Sequence, residues 1–323
     1  MYSVCYVLID NDILRYYNEL LISLSSLRQK GFQGPVRILT DESTSKEIEK
    51  QNGQELTELS AVLVVIDIPD KYSQKERSRY IKTSMREYVK GDFLFLDTDT
   101  VIADKLPDVV SVYDIAMVRD LHGTMLECGN VDSYRNLFKK CRYPFDPSAR
   151  MFNSGVIWCK DTAFSHDFFK RWHNEWIYTQ SCGVVRDQVS LCKLSNEFAG
   201  AIAELDDRFN VQVCRLISVK HLIHAVIIHY FNNVNPLMSC YALQQPEIQK
   251  EAFRSEVIQN IIESPKEAFV PCRLVKLGGA EDQLAKTAAY RCFRWLYTKQ
   301  KGVFCVIESL AKAIVKIRSV LMK

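Results

Sequence analysis

The sequence predicts an α/β fold: a mostly parallel central sheet flanked by helices. Three observations carry this. Short β-rich runs alternate with segments of helical periodicity across the first hundred residues. The runs are apolar along their length rather than at every second position, the pattern of strands buried on both faces. Breaks rich in glycine, proline and aspartate separate the elements.

Taken in order, VCYVLI (4–9) is the first strand, and DND ends it. Residues 14–30 place Leu14, Tyr17, Leu20, Leu21, Leu24 and Leu27 at helical spacing, and GFQGP stops that helix. VRILTD (36–41) is a second strand, and STSKEIEKQ opens with capping-type residues and reads as a helix. AVLVVIDI (61–68) is a third strand, residues 72–90 are helical, and FLFLD, from Phe93, is the fourth strand. Alternation of this kind builds βαβ units, whose ligands bind at the carboxyl ends of the strands. The stretch NNVNPLMSCYALQQPE (232–247) marks the nearest thing to a boundary. It divides the chain into a main domain, 1–240, and a helical C-terminal region, 241–323.

Composition narrows the class. The chain has 323 residues, 47% hydrophobic and 25% charged, which suits a globular protein with a sizeable core. A net charge of +3 gives no argument for a nucleic-acid partner. The eleven cysteines are odd in number and form no CxxC pair, as expected of reduced, packed thiols in a cytoplasmic protein. The N-terminus has no basic region ahead of its apolar run and so does not read as a signal peptide; no uncharged apolar run reaches membrane-spanning length.

Two acidic clusters stand at strand ends: Asp10 and Asp12 after the first, Asp97 and Asp99 after the fourth. Residues i and i+2 on a strand point to one side, roughly 6–7 Å apart. Two carboxylates there repel unless a cation joins them or a proton is shared. A solvated loop pair is the plain alternative. No GxGxxG or GxxxxGK[ST] is present, and only twelve glycines are available for a phosphate cradle. A nucleotide's phosphates would therefore need another counter-charge, and a divalent ion is the obvious one.

Three later segments add to the pattern: MFNSGVIWCKD (151–161), with Asn153-Ser-Gly155 ahead of an apolar strand; VVRDQVSL (184–191), with Asp187 and Gln188 at a helix start; and HLIHAVIIHYF (221–231), an apolar strand ending in His229. The set LDTDT, FNSGV, DQ and IIHYF, in this order, resembles the family 8 retaining glycosyltransferases, to which glycogenin and bacterial lipopolysaccharide galactosyltransferases belong. The resemblance covers roughly residues 1–235. It implies a GT-A, Rossmann-like nucleotide-diphospho-sugar transferase fold. It also implies metal-dependent transfer of a hexose from a UDP-sugar to a glycan or lipid-linked acceptor, with retention of configuration, in cell-surface polysaccharide synthesis.

Position by position, the resemblance assigns the metal to Asp97, Asp99 and His229, with Asp97 and the adjoining Thr98 also facing the nucleotide. It places Asn153 and Gly155 in the donor and acceptor pocket, and gives Asp187 and Gln188 the hydroxyls of the transferred sugar. Uridine falls to Asp10, Asn11, Asp12 and Tyr16 or Tyr17. A base on the helix before the acidic pair lies near the diphosphate in the family, and Lys82 is the best match, ahead of Arg79. Independently, two carboxylates and an imidazole suit Mn²⁺ better than Mg²⁺, although Mg²⁺ is not excluded by the residues. One departure stands out. The family follows its histidine with a glycine and then a lysine on the diphosphate, and here Asn232 and Asn235 occupy those places.

Two rival readings remain open at this stage. LDTDTV also fits the haloacid-dehalogenase phosphatase signature, with Asp97 as nucleophile, Asp99 as acid/base and Asp206-Asp207 as the later acidic pair. A non-catalytic sugar-nucleotide binder is the other. Lys75, Arg79, Lys82 and Arg86, spaced 4, 3 and 4 apart, share a helix face that is ordinarily solvated. From Lys286 to Lys323 nine bases meet one acid, Glu308: a net +8 in a chain of +3, so residues 1–285 carry −5. Val303, Ile307, Leu310, Ile314, Ile317 and Leu321 follow helical spacing opposite that charge. The segment reads as a basic amphipathic helix suited to an anionic membrane surface, placing the protein peripherally on the inner face; a helix packed on its own domain is the alternative.

Overall fold

The computed structural model describes residues 2–10, 15–50, 53–108, 112–125, 131–198, 200, 202–213, 219–230, 253–269, 284 and 287–321. The chain forms two compact units, Met1–Arg273 and Leu274–Lys323.

The first unit is built on a seven-stranded sheet. In chain order its strands are β1 (Ser3–Leu8), β2 (Val36–Thr40), β3 (Ala61–Val65), β4 (Phe93–Leu96), β6 (Ile115–Arg119), β7 (Phe152–Cys159) and β8 (Ile202–Glu204). Their spatial order is β3-β2-β1-β4-β7-β6-β8. Every pairing is parallel except those of β7, which runs against both β4 and β6. A smaller sheet joins β5 (Thr100–Ile102), β9 (Val211–Gln212) and β10 (Ile227–His229) in the order β5-β10-β9.

The continuous apolar runs are explained by burial on both faces. In β1, Val4, Tyr6 and Leu8 face one core, with Leu20, Leu24 and Leu27 of the helix Arg15–Gln29. Cys5 and Val7 face the other, with Ile81 of the helix Gln74–Ser84 and Phe168, Trp172 and Trp176 of the helix Ala163–Ser181. The same alternation in β4 sends Leu94 and Leu96 one way and Phe93 and Phe95 the other. The four strands and three helices expected over the first hundred residues are therefore present.

Several local expectations are corrected. The third strand ends at Val65, not residue 68, and the helix expected over 72–90 runs Gln74–Ser84 with a 3₁₀ turn at Met85–Glu87. FNSGV lies within β7 rather than ahead of it. Residues 221–231 are not one strand: Val219–Leu222 is a short helix, and only Ile227–His229 pairs, with β5 and β9. Within the first unit, Ile258, Ile261, Ile262 and Phe269 share a core with Ile22, Val101, Val211 and Ile228.

The second unit contains the helices Ala288–Lys299 and Lys301–Leu321. Trp295, Tyr297, Val303, Val306, Leu310, Ile314 and Ile317 are exposed. No helix among the described residues is long and apolar enough to cross a membrane. Among the described cysteines Cys5, Cys141, Cys159 and Cys192 are buried thiols, whereas Cys292 and Cys305 are exposed.

Candidate active site

The site forms where β4 ends. Strand pairing stops at Leu96, and Asp97-Thr98-Asp99 make a turn that carries the chain into β5 of the smaller sheet. The aspartates are therefore turn residues, which corrects the spacing expected of a continued strand. Two backbone bonds and one side-chain bond hold the turn: Asp97 N–H donates to Gly155 O (2.8 Å), Tyr230 N–H to Asp99 O (3.0 Å), and the Thr100 Oγ1 hydroxyl to Asp97 O (2.8 Å). Thr98, between the two, is buried. Because β10 pairs antiparallel to β5, with His229 opposite Thr100, the histidine comes back to the same turn.

The result is a convergence of three ligand-type side chains. Asp97, Asp99 and His229 each offer an atom, all within 4.8 Å of one another. His229 Nε2 lies 3.1 Å from Asp99 Oδ1 and 4.0 Å from Asp97 Oδ2.

A chain of amides sets the imidazole. His229 Nδ1 faces Asn210 Oδ1 (3.2 Å), Asn210 Nδ2 donates to Asn153 Oδ1 (2.9 Å), and Asn153 Nδ2 donates to Asp120 Oδ1 (3.0 Å). Nδ1 is then the donor, which leaves Nε2, turned towards the carboxylates, as the atom a metal would take from the neutral ring. Asn153 Oδ1 also accepts the Gly155 N–H (2.9 Å). A Cβ on Gly155 would stand 2.7 Å from His229 Nδ1 and closer still to Cε1, so only glycine lets β7 approach the ring. Donor set, tautomer and this cleared space together fit a divalent ion bound by two carboxylates and one imidazole.

Beside this cluster is a charged relay. The Asp97 carboxylate faces the helix Gln74–Ser84. Lys82 Nζ meets it at 2.8 and 3.0 Å, and lies 3.9 Å from Asp187 Oδ2. Arg79 Nε binds Asp187 Oδ1 (3.0 Å), and Ser154 Oγ donates to Asp187 Oδ2 (2.8 Å). Asp187 begins the helix Asp187–Glu197, where backbone N–H groups favour an anion. Burial alone would raise its pKa; Arg79, Lys82 and Ser154 outweigh that and hold it below the usual carboxylate range. Burial would likewise lower Arg79, but Asp187, Asp97 and Asp99 carry it upward. Gln188 Nε2 donates to Phe152 O.

The basic helix face is thus only partly solvated: Lys75 is exposed and Arg79 half-buried, while the other two bases turn inwards. Lys82 and Arg86 are both 2% exposed. Arg86 stacks over Phe93 and pairs with Asp161, away from the strand's carboxyl end. Arg79 turns out to be engaged as closely as Lys82.

At the end of β1, Asp10 is buried and its Oδ2 accepts the Tyr17 N–H (2.9 Å), capping the first turn of the helix Arg15–Gln29. Tyr17 is buried with its hydroxyl 3.5 Å from Glu55 Oε2. Asn11, Asp12, Asn232 and Asn235 lie outside the described residues. Sequence reasoning missed Asn210, Asp120 and Glu19. Glu19 is buried, and burial, with Asp99 next, raises its pKa well above the usual range.

A second cluster, His122, Asp207 and His221, is also within metal-ligand reach. Its chemistry fits less well. His122 Nε2 accepts the Gln212 N–H (3.1 Å), which puts the ring proton on Nδ1, facing Asp207 Oδ1 at 2.9 Å. That proton occupies the position a metal would need. Asp207, which the phosphatase reading pairs with Asp97 and Asp99, is engaged here by the two histidines.

No family model matches this sequence, and no curated protein matches it. Among solved structures the chain is similar to mouse xyloside xylosyltransferase 1, at 15% identity and a TM-score of 0.46 over 72% of this chain and 99% of that one. It is similar to the galactosyltransferase LgtC, solved with donor and acceptor sugar analogues, at 14% identity and a TM-score of 0.48, covering 81% and 95% of the two chains. It is also similar to the glycosyltransferase GlyE of Streptococcus pneumoniae, at 14% identity and a TM-score of 0.49, covering 85% and 66%.

Proposed function

We propose that this chain is a metal-dependent retaining glycosyltransferase of the family 8 type, moving a hexose from a UDP-sugar to a glycan or lipid-linked acceptor. The observation that carries the reading is the meeting of Asp97, Asp99 and His229 at the carboxyl edge of the sheet, with Asp187 linked to Asp97 through Lys82. Asp97, Asp99 and His229 would hold Mn²⁺ together with the donor's diphosphate. A bound ion there supplies Lewis-acid neutralisation of the charge that builds on departing UDP.

The chain's own residues do the rest. Asp187, fixed from two sides by Arg79 and Ser154, and Gln188, anchored on Phe152 O, orient the sugar's hydroxyls so that an acceptor hydroxyl meets C1. Asn153 lines the pocket. Lys82 and Arg79 supply positive charge near the leaving group, where Asn235 replaces the family's lysine. Asp10, Asn11, Asp12 and Tyr17 take the uridine side. The acceptor attacks from the face that UDP leaves, and UDP's oxygen takes its proton, so no carboxylate nucleophile is needed.

The test is release of UDP from UDP-glucose, UDP-galactose and their N-acetyl forms, with and without Mn²⁺. Mn²⁺-dependent turnover of one donor, lost in Asp97→Asn, is the expected result. Calorimetric binding of every donor with no turnover on any acceptor would make the chain a binder instead. Mg²⁺-dependent hydrolysis of a phosphate monoester would make it a phosphatase.

The reading extends to the second unit. The exposed apolar residues of its helices and the net +8 of residues 286–323 complement an anionic lipid surface, the kind of surface that would carry a lipid-linked acceptor.

A further inference from the structure

Lys82 is 2% exposed and lies 5.1 Å over the Phe95 ring. Its ammonium grips both oxygens of Asp97, a residue of the metal cluster, at 2.8 and 3.0 Å. The carboxylate keeps further lone pairs, but an ammonium on both oxygens fixes its orientation and repels a second cation. A buried ammonium, for its part, cannot be left without a counter-charge. One such charge is within reach, Asp187 Oδ2 at 3.9 Å. Lys82 is therefore placed between two carboxylates, one of which a divalent ion also needs.

We propose that Lys82 is the resident counter-cation of the acidic pair, competing with the divalent ion for Asp97 and shifting towards Asp187 when the ion enters. The inference rests on the reading of Asp97, Asp99 and His229 as the metal site, and it adds a function for Lys82 that phosphate binding does not require. The exchange leaves Lys82 with a carboxylate partner in both states. It also delivers the ammonium to the sugar-holding side of the site only once the metal is in place.

The experiment is titration of the full chain with Mn²⁺ alone, followed by electron paramagnetic resonance of the free ion, with no donor present. Wild type, Asp97→Asn, Lys82→Gln and Lys82→Arg are compared. Asp97→Asn should abolish binding. Lys82→Gln removes the competitor, and Mn²⁺ should bind roughly tenfold more tightly, the scale of one unit-charge contact under partial screening. Lys82→Arg grips the carboxylate with a bidentate fork and should weaken Mn²⁺ binding several-fold. Unchanged or weaker binding in Lys82→Gln, with Asp97→Asn still abolishing it, overturns this inference alone. If Lys82→Gln does not fold, Lys82→Arg decides, and unchanged or tighter binding there overturns it. Absence of Mn²⁺ binding in wild type, or its survival in Asp97→Asn, removes the metal reading and this inference together.

Discussion

At the residue scale the site depends on what is not there. Gly155 has an ordinary backbone conformation, so its constraint is space alone: a methyl group would strike the His229 ring. Gly155→Ala should weaken Mn²⁺ binding about 10- to 100-fold, the range for disturbing a ligand's support, while the protein remains folded. Calorimetric Mn²⁺ titration beside a thermal melt checks both. Asn210→Ala leaves the imidazole without the acceptor that sets its tautomer and should cost a similar factor. The acidic pair and the histidine were legible in the sequence because their motifs lie at strand ends. Asn210 was not: it is one asparagine 57 positions from the amide it binds, and no local pattern marks it. Arg79 did leave a signal in the 4-3-4 spacing, but spacing does not say which bases on a face turn inwards.

At the element scale, the helices Gln74–Ser84 and Ala163–Ser181 meet at a half-buried histidine. His173 Nδ1 is 2.9 Å from Thr83 Oγ1, and the ring sits against Tyr80 and Trp176. Burial pushes its pKa down to about 4. The neutral ring is the stable form, so its contribution is complete above the ordinary histidine pKa of about 6.5 and is lost as pH falls from there towards 4. Denaturant unfolding from pH 7 to 4 should show stability falling through this window, and His173→Phe should flatten that part of the curve. Asp187 acts lower: its depressed pKa supports the fold above the usual carboxylate range and fails on further acidification. The succession of strands and helices was readable over the first hundred residues, where alternation is regular. The reversal of β7 was not, since an apolar strand buried on both faces carries no mark of direction. The same ambiguity hid the break in residues 221–231, whose apolar residues serve a helical turn first and a strand afterwards.

At the scale of the whole molecule, the ion should act on the fold as well as on the reaction. Mn²⁺ at 100 times its dissociation constant should stabilise the first unit by about 2.7 kcal/mol, an increment that chelation removes and that Asp99→Asn lacks. The second unit makes a separate prediction. Removing residues 286–323 should abolish sedimentation with anionic liposomes and leave binding to neutral ones unchanged at background. Retained sedimentation would show that the basic helices are not the anchor.

The route of the chain also governs when the site can exist. The acidic turn is finished early, whereas its imidazole comes about 130 residues later, after β7 has slotted in beside β4. A polypeptide still emerging from the ribosome can therefore complete its first three strands and their helices while the proposed cation site still lacks one of its three side chains. Truncated, ribosome-stalled chains should acquire manganese only once the segment through position 230 has left the tunnel.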